Sequence, residues 1–290
     1  MHDGEVVADE AVVRALIAAQ FPRWSGLPLT RVQSMGTVNV IYRLGDQLCV
    51  RLPRVAAWAG GLDDEWRWLP WLAPQLPLQI PEPVALGQPG EGYPFRWAVY
   101  VWIDGNPYAD ELVTDERQAA DALAGFVLTM NRLDTDGGPP RAGRRPLAEL
   151  DRITRETIRA SAGAIDERAA VAVWEDALGA PVWAGAPVWI HADLLRPNLL
   201  VRGGELRAVI DFGGAGVGDP ATDVVAAWAT FGPTGRQAFR AALDVDDGTW
   251  RRARGIALHQ AAGLIPYYAR SNPAFADLGV RTIQEILSDR

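Results

Sequence analysis

The stretch from Val188 to Gly213, VWIHADLLRPNLLVRGGELRAVIDFG, limits what this chain can become more than any other part of it. An apolar run, Val188 to Ile190, leads into a cluster of polar side chains: His191, Asp193, Arg196 and Asn198. A short apolar strand follows, Leu199 to Val201, then Gly203-Gly204, then a second strand from Leu206 to Ile210 that ends on Asp211-Phe212-Gly213. Two apolar strands joined by Gly-Gly predict a β-hairpin, because the tightest hairpin turns need positive φ at their centre and glycine supplies it without strain. A hairpin returns the chain to its start, so Asp193 and Asn198 at the entry are expected near Asp211 at the exit.

Oxygen-bearing side chains gathered at one end of a hairpin suit a hard cation. Mg²⁺ prefers oxygen ligands and keeps phosphate oxygens and waters in its shell. Asn198 and Asp211 can supply the protein share. Asp193 is then left as a carboxylate able to accept a proton from an attacking hydroxyl, or simply to orient it. The order follows the kinase pattern H-R-D-x-x-x-x-N and then D-F-G. Here it reads His191-Ala192-Asp193, Asn198 five residues after the aspartate, and Asp211-Phe212-Gly213. With IHADLLRPNLLV and AVIDFGGAGVGDPATDVVAAW taken together, the chain resembles the aminoglycoside phosphotransferase family of small-molecule kinases. Ala192 replaces the protein-kinase arginine, and small residues are usual there in the small-molecule enzymes. The resemblance makes His191 an orienting group for the loop and not a proton carrier.

The resemblance implies an α+β, bilobal, protein-kinase-like fold. A small antiparallel-sheet lobe would span residues 1–103 and carry the nucleotide-binding sheet and hinge. A larger helical lobe, 104–290, would carry the catalytic loop, metal site and acceptor cleft. Composition agrees with a folded chain: 49% of its 290 residues are hydrophobic. No apolar run approaches the ~20 residues of a membrane span, so no membrane role is expected. The N-terminal MHDGEVVADE is acidic and has no signal-peptide core. The single cysteine, Cys49, excludes a disulfide framework and argues for a reducing compartment, so a cytoplasmic location is expected. A net charge of −8 disfavours nucleic acid as a partner and is compatible with a cationic substrate. All 28 basic residues are arginine, and the chain has no lysine.

That last feature has a chemical consequence in the first lobe. After a helix at Glu10 to Ala19, three strands are expected: Leu29 to Gln33, Val38 to Leu44 and Gln47 to Leu52. Ser34, Gly36 and Thr37, between the first two, occupy the place of a phosphate-covering loop, although one glycine stands where protein kinases have three, and the other reading of this motif is an ordinary hairpin turn. Arg51 ends the third strand, where kinases carry a lysine that contacts the α/β-phosphates and pairs with a helix glutamate. Arginine can bind phosphate with its planar fork, in a different geometry. The other reading of Arg51 is a solvated strand-edge residue. The next helix, ending before Pro70, has Leu62, Trp66 and Leu69 on one face. Glu65 is the chosen partner of Arg51, and Asp63 and Asp64 can instead be first-turn acids favoured by the helix dipole. Phe95 to Ile103 reads as a strand buried on both faces, and the break at Asp104 to Pro107 marks a hinge. There the backbone of Val101, Trp102 and Ile103 would meet the nucleotide base.

From Thr114 the chain is helical, with expected helices at 115–133, 151–160, 165–177, 221–230, 236–243 and 249–262. Asp219 reads as a helix cap, and Asp223 as a structural residue tying its helix to the catalytic loop. His259, Tyr267 and Tyr268 are candidates either for acceptor contact or for packing around a helix kinked at Pro266. The expected activity is transfer of the γ-phosphoryl group of ATP or GTP, with Mg²⁺, to a hydroxyl of a small molecule. The acceptor is expected to be an antibiotic such as an aminoglycoside or macrolide. A metabolite or sugar kinase, and a nucleotide-binding module without transfer, remain the alternatives.

Overall fold

The computed structural model describes residues 5–33, 38–140 and 145–289. Ser34, Gly36 and Thr37 lie outside the described residues. By their contacts the residues divide into two compact units. One holds Met1–Gly105 together with Ala208–Gly213, and the other holds Asn106–Arg207 and Gly214–Arg290.

The first unit begins with α1 (Glu10–Gln20). Asp9 caps it, accepting from the Val12 N–H at 2.9 Å. Val13, Leu16 and Ile17, spaced three and four apart, form its buried stripe. Five strands follow: β1 (Leu29–Arg31), β2 (Asn39–Leu44), β3 (Leu48–Pro53), β4 (Pro83–Gly87) and β5 (Trp97–Val101). They make one sheet in the order β1-β2-β3-β5-β4, antiparallel throughout. Period-two alternation sends Val40, Tyr42, Leu44, Val50, Leu52, Trp97 and Val99 to the face covered by the α1 stripe, where they form one core cluster. The opposite face carries Cys49 and Arg51.

Between β3 and β4 lie α2 (Ala56–Ala59) and α3 (Gly61–Leu72). The structure corrects the expected face of α3. Its buried residues are Leu62, Glu65, Leu69 and Leu72, and Trp66 is exposed. Nor does the helix stop at Pro70, which lies inside it on the exposed side. There water can satisfy the carbonyl that loses its donor. Arg51, too, is not terminal: β3 continues to Pro53.

The second unit contains β6 (Asn106–Pro107), α4 (Glu116–Asn131), α5 (Leu147–Ala160), α6 (Glu167–Leu178), β7 (Val188–Ile190), β8 (Leu199–Arg202) and β9 (Glu205–Val209). It continues with β10 (Gly216–Gly218), α7 (Ala221–Val224), α8 (Ala226–Ala229), α9 (Pro233–Leu243), α10 (Asp247–Tyr268) and α11 (Pro273–Ser288). The expected hairpin is present as β8 and β9, with Gly203 and Gly204 at φ +63° and +86°. β6 adds a third strand beside β8, pairing Asn106 with Val201 and Pro107 with Leu200. The helix expected from Ala221 to Thr230 is two short helices, and α10 runs through Pro266 to Tyr268. α10 packs against α5, α6, α7 and α11 and forms the spine of this unit.

The end of β9 leaves the helical unit. Ala208 bridges to Gln79, and the Val209 N–H donates to the Gln79 carbonyl at 2.9 Å. Those contacts place Asp211 with the sheet unit, not with the helical residues that precede it in sequence. Among the described residues, no helix is long and apolar enough to cross a membrane. The architecture is α+β, with an antiparallel sheet in the N-terminal part and helices in the C-terminal part.

Candidate functional site

In the helical unit, β7 pairs antiparallel with β10, Ile190 opposite Gly216. The chain then turns through His191 and Ala192. Ala192 sits at φ +70°, in the left-handed region that costs an L-residue roughly 1–2 kcal/mol. Asp223 compensates. Its carboxylate, fully buried, accepts from the His191 N–H at 2.7 Å and from the Ala192 N–H at 2.8 Å. The expected tie between Asp223 and this loop is thus a two-point charged grip on the strained turn.

Past the turn, the Asp193 N–H donates to His191 Nδ1 at 3.2 Å, so the imidazole orients the loop. Asn198 closes it. Its Nδ2 donates to the Asp193 carbonyl at 2.9 Å and to the Asp193 Oδ2 at 2.7 Å. With its amide nitrogen engaged in this way, Asn198 keeps Oδ1 as a hard oxygen of the type Mg²⁺ takes. Arg196 fastens the loop from outside. Its Nε donates to the Thr230 carbonyl at 2.9 Å, its Nη2 pairs with Asp110, and its guanidinium lies 5.2 Å from the centre of the Tyr108 ring. The Tyr108 N–H in turn bonds the carbonyls of Arg196 and Leu199 at 3.1 and 2.8 Å.

The expected cap is corrected: α7 takes Pro220 as its N-cap residue with no side-chain cap bond, and the Asp219 carboxylate instead accepts from the Ala221 N–H at 2.9 Å. Arg252 reaches both of its oxygens, at 2.9 and 3.2 Å, and also bonds the Pro181 carbonyl at 3.0 Å. Arg252 is 8% exposed and Asp219 24%. We expect Arg252→Ala to lower unfolding stability by about 2–3 kcal/mol, below the full range for a buried pair because Asp219 retains some water. A denaturant midpoint unchanged from wild type would contradict this.

In the sheet unit a second array is centred on Arg51. Its Nη1 donates to both Glu65 oxygens, at 2.7 and 2.8 Å, and its Nη2 donates to Asp211 Oδ1 at 2.7 Å. Glu65 is 3% exposed. Burial works against the guanidinium charge, and Glu65 and Asp211 more than offset it, so the Arg51 pKa is raised. Asp211 stands at φ +67°, so the residue carrying this carboxylate is also in the left-handed region.

The array has a member that sequence reasoning missed. The Tyr100 hydroxyl donates to Glu65 Oε2 at 2.6 Å. Burial, reinforced by the Glu65 charge, lifts its pKa well above the ordinary phenol, which keeps it a donor. The signal lies in the strand register. β3 and β5 pair Cys49 with Tyr100 and Arg51 with Ala98, so Tyr100 sits diagonally from Arg51 on one face. Burial pushes the neighbouring Cys49 thiol up to about 11, leaving it protonated at neutral pH. Tyr100→Phe is expected to cost about 1.5–3 kcal/mol, the worth of a hydrogen bond to a charged group. Urea unfolding reads this directly, and a loss under about 0.5 kcal/mol would mean that Arg51 alone holds Glu65.

The Val101 N–H is spent on the Glu82 carbonyl at 2.9 Å and the Trp102 N–H on Gln47 at 2.7 Å, so neither is a donor for a base. Ile103 follows at 8% exposure. His259 is half-buried, with Nδ1 2.8 Å from Thr154 Oγ1 and its ring centre 6.5 Å from that of Trp174. Thr154 gives its one hydroxyl hydrogen to the Leu150 carbonyl at 2.8 Å, so His259 Nδ1 carries the proton in their bond. The bond ties α10 to α5. Tyr267 and Tyr268 meet edge to face, and Tyr268 meets Phe275 likewise, in an aromatic cluster at the α10–α11 turn.

Residues 31–256 match the profile of the phosphotransferase enzyme family. No curated protein matches the sequence. In three dimensions the chain is similar to the GDP complex of wild-type aminoglycoside 2'-phosphotransferase-IIIa, with TM-score 0.77 and 19% identity over 97% of this chain and 99% of that one. It is also similar to the GDP and kanamycin complex of APH(2")-IIIa, with TM-score 0.76 and 20% identity over 96% and 99%. A third likeness is to the apoenzyme of macrolide 2'-phosphotransferase MphH from Brachybacterium faecium, with TM-score 0.61 and 21% identity over 94% and 98%. At such identities the structures share a fold.

Proposed function

The chain belongs to the phosphotransferase enzyme family, and from that premise we propose that it transfers the γ-phosphoryl group of ATP or GTP to a hydroxyl of a small acceptor, with an antibiotic of the aminoglycoside or macrolide type as the first candidate. The observation that carries the proposal is the loop His191-Ala192-Asp193 to Asn198. Its strained turn is held by the Asp223 carboxylate at 2.7 and 2.8 Å, and its aspartate is fixed by Asn198 at 2.7 Å. Strain supported by charged hydrogen bonds is what a preorganised reacting group requires.

In this reading Asp193 accepts the hydrogen bond of the acceptor hydroxyl and takes its proton as the oxygen attacks, or only aligns it. Asn198 Oδ1 and the Asp211 carboxylate would hold Mg²⁺, both being hard oxygen donors. The ion, when bound, neutralises charge on the phosphates. Arg51, kept charged by Glu65, contacts phosphate oxygens, and Glu65 is its anchor. With the Val101 and Trp102 N–H groups already bonded, contact with the base would fall to the carbonyls of this segment and to the Ile103 backbone. Ser34, Gly36 and Thr37 are proposed as the phosphate loop on the resemblance alone. The ligands named for one similar structure, GDP and kanamycin, and the macrolide in the name of another enzyme support a nucleotide and an antibiotic here without choosing among them.

The test is nucleotide consumption against a panel of hydroxyl-bearing aminoglycosides, macrolides, nucleosides and sugars, with Mg²⁺ and either ATP or GTP. Turnover that depends on one acceptor class supports the proposal and names the substrate. Nucleotide binding with no acceptor-dependent turnover in any class would contradict it.

A further inference from the structure

We propose that Arg51 makes the loading of a divalent cation at Asp211 conditional on the nucleotide. The inference rests on the phosphotransfer reading above and adds an order of binding to it. The position carries arginine, and the two terminal nitrogens of that side chain are divided between two carboxylates. Nη1 is held by both oxygens of Glu65, at 2.7 and 2.8 Å, and Nη2 by Asp211 Oδ1 at 2.7 Å. A guanidinium is a rigid planar fork and can serve both acids at once. Arg51 cannot swing away as a whole, because Glu65 is buried and fixed in turn by the Tyr100 hydroxyl at 2.6 Å.

The charges then dictate the order. The cluster of Arg51, Glu65 and Asp211 carries one positive and two negative groups. A cation arriving alone at Asp211 competes with a guanidinium nitrogen for Oδ1, one of the two carboxylate oxygens, and meets its positive charge at close range. Nucleotide phosphates change both conditions. They bring negative charge, and they offer Nη2 a replacement acceptor of the kind guanidinium groups bind well. Nη2 then exchanges Asp211 for a phosphate oxygen while Nη1 stays on Glu65, and the Asp211 carboxylate is released to the cation. No bond other than hydrogen bonds is made or broken. Cation and nucleotide should therefore bind as one unit, each tightening the other by the same factor.

The probe is Mn²⁺, followed by the loss of its free electron-paramagnetic signal on binding, with and without a non-hydrolysable ATP or GTP analogue and corrected for Mn²⁺ held by the nucleotide alone. We expect wild type to bind Mn²⁺ at least about tenfold more tightly with nucleotide than without, within the usual range of coupling between two ligands. Arg51→Lys keeps a charge on Glu65 and has no second nitrogen for Asp211. It should bind Mn²⁺ alone about tenfold more tightly than wild type does, and Asp211→Asn should abolish that gain. Wild type that binds Mn²⁺ alone as tightly as Arg51→Lys overturns the proposal. If the lysine variant does not fold, the two wild-type titrations decide, and equal affinity with and without nucleotide overturns it. Nucleotide and Mn²⁺ that fail to bind wild type together overturn the phosphotransfer reading itself, a separate outcome.

Discussion

Asp193→Ala is expected to lower kcat by about 10²–10⁴-fold, the usual contribution of a positioned acid–base group, while leaving the KM for nucleotide within about threefold. The fold should survive. Asp193 is only half-buried, and the Asn198 bond to its backbone carbonyl, 2.9 Å, does not need the side chain. What is lost is the carboxylate that Asn198 fixes at 2.7 Å. Steady-state kinetics with the acceptor found in the panel check this. A variant with wild-type kcat would mean that the acceptor hydroxyl needs no partner here, and that positioning and charge neutralisation carry the rate alone.

Asp223→Ala should have the largest effect on stability, about 3–5 kcal/mol against a total of ~5–15 for a domain. Two buried N–H groups, of His191 and Ala192, would lose a charged acceptor at one stroke, and both residues are nearly or wholly excluded from water. The left-handed turn at Ala192, φ +70°, would lose its support as well. Activity should fall even in the folded fraction, because Asp193 follows directly. Ala192→Gly is the contrasting case. Relief of strain is offset by glycine's greater freedom when unfolded, and the net change should stay within about 1 kcal/mol. Chemical denaturation of the two variants separates the contributions. Comparable losses in both would place the stability in the turn's shape and not in the Asp223 bonds.

The parts of the molecule that depend on local spacing were legible in the sequence. The Gly-Gly hairpin and the five-residue interval from Asp193 to Asn198 follow from neighbours along the chain. The Asp223 tie was legible for the same reason, since its motif lies one short segment past the hairpin. The array around Arg51 was only half legible. Its partner Glu65 was chosen on family resemblance, yet hydrophobic periodicity put Trp66 on the buried face of α3. That face instead accepts a carboxylate, because three hydrogen bonds, two from Arg51 and one from Tyr100, replace its water. Tyr100 itself could be found only from the register of β3 against β5, which no local pattern contains. The Arg51–Asp211 contact joins residues 160 positions apart. It arises because the end of β9 pairs with Gln79 and so leaves the unit that its sequence neighbours build.

Helix ends were the least legible feature. Pro70 and Pro266 were read as a stop and a kink, and both stand inside helices, near C-terminal ends where one missing hydrogen bond is readily absorbed. His259 illustrates a different limit. A polar ring beside tyrosines near a chain's end resembles a binding group in sequence. Its bond to Thr154, a residue 105 positions away, makes it a pin between helices.

The fate of a labelled γ-phosphoryl group distinguishes transfer to an acceptor from hydrolysis. ATP or GTP carrying the label is incubated with wild type or Asp193→Ala, Mg²⁺ and an acceptor, and the acceptor is recovered and weighed by mass spectrometry. Label is expected on the acceptor, as one added phosphoryl group on a hydroxyl, in wild type and to be nearly absent in the variant. Label that appears only in inorganic phosphate, or on the acceptor equally in both proteins, would contradict it.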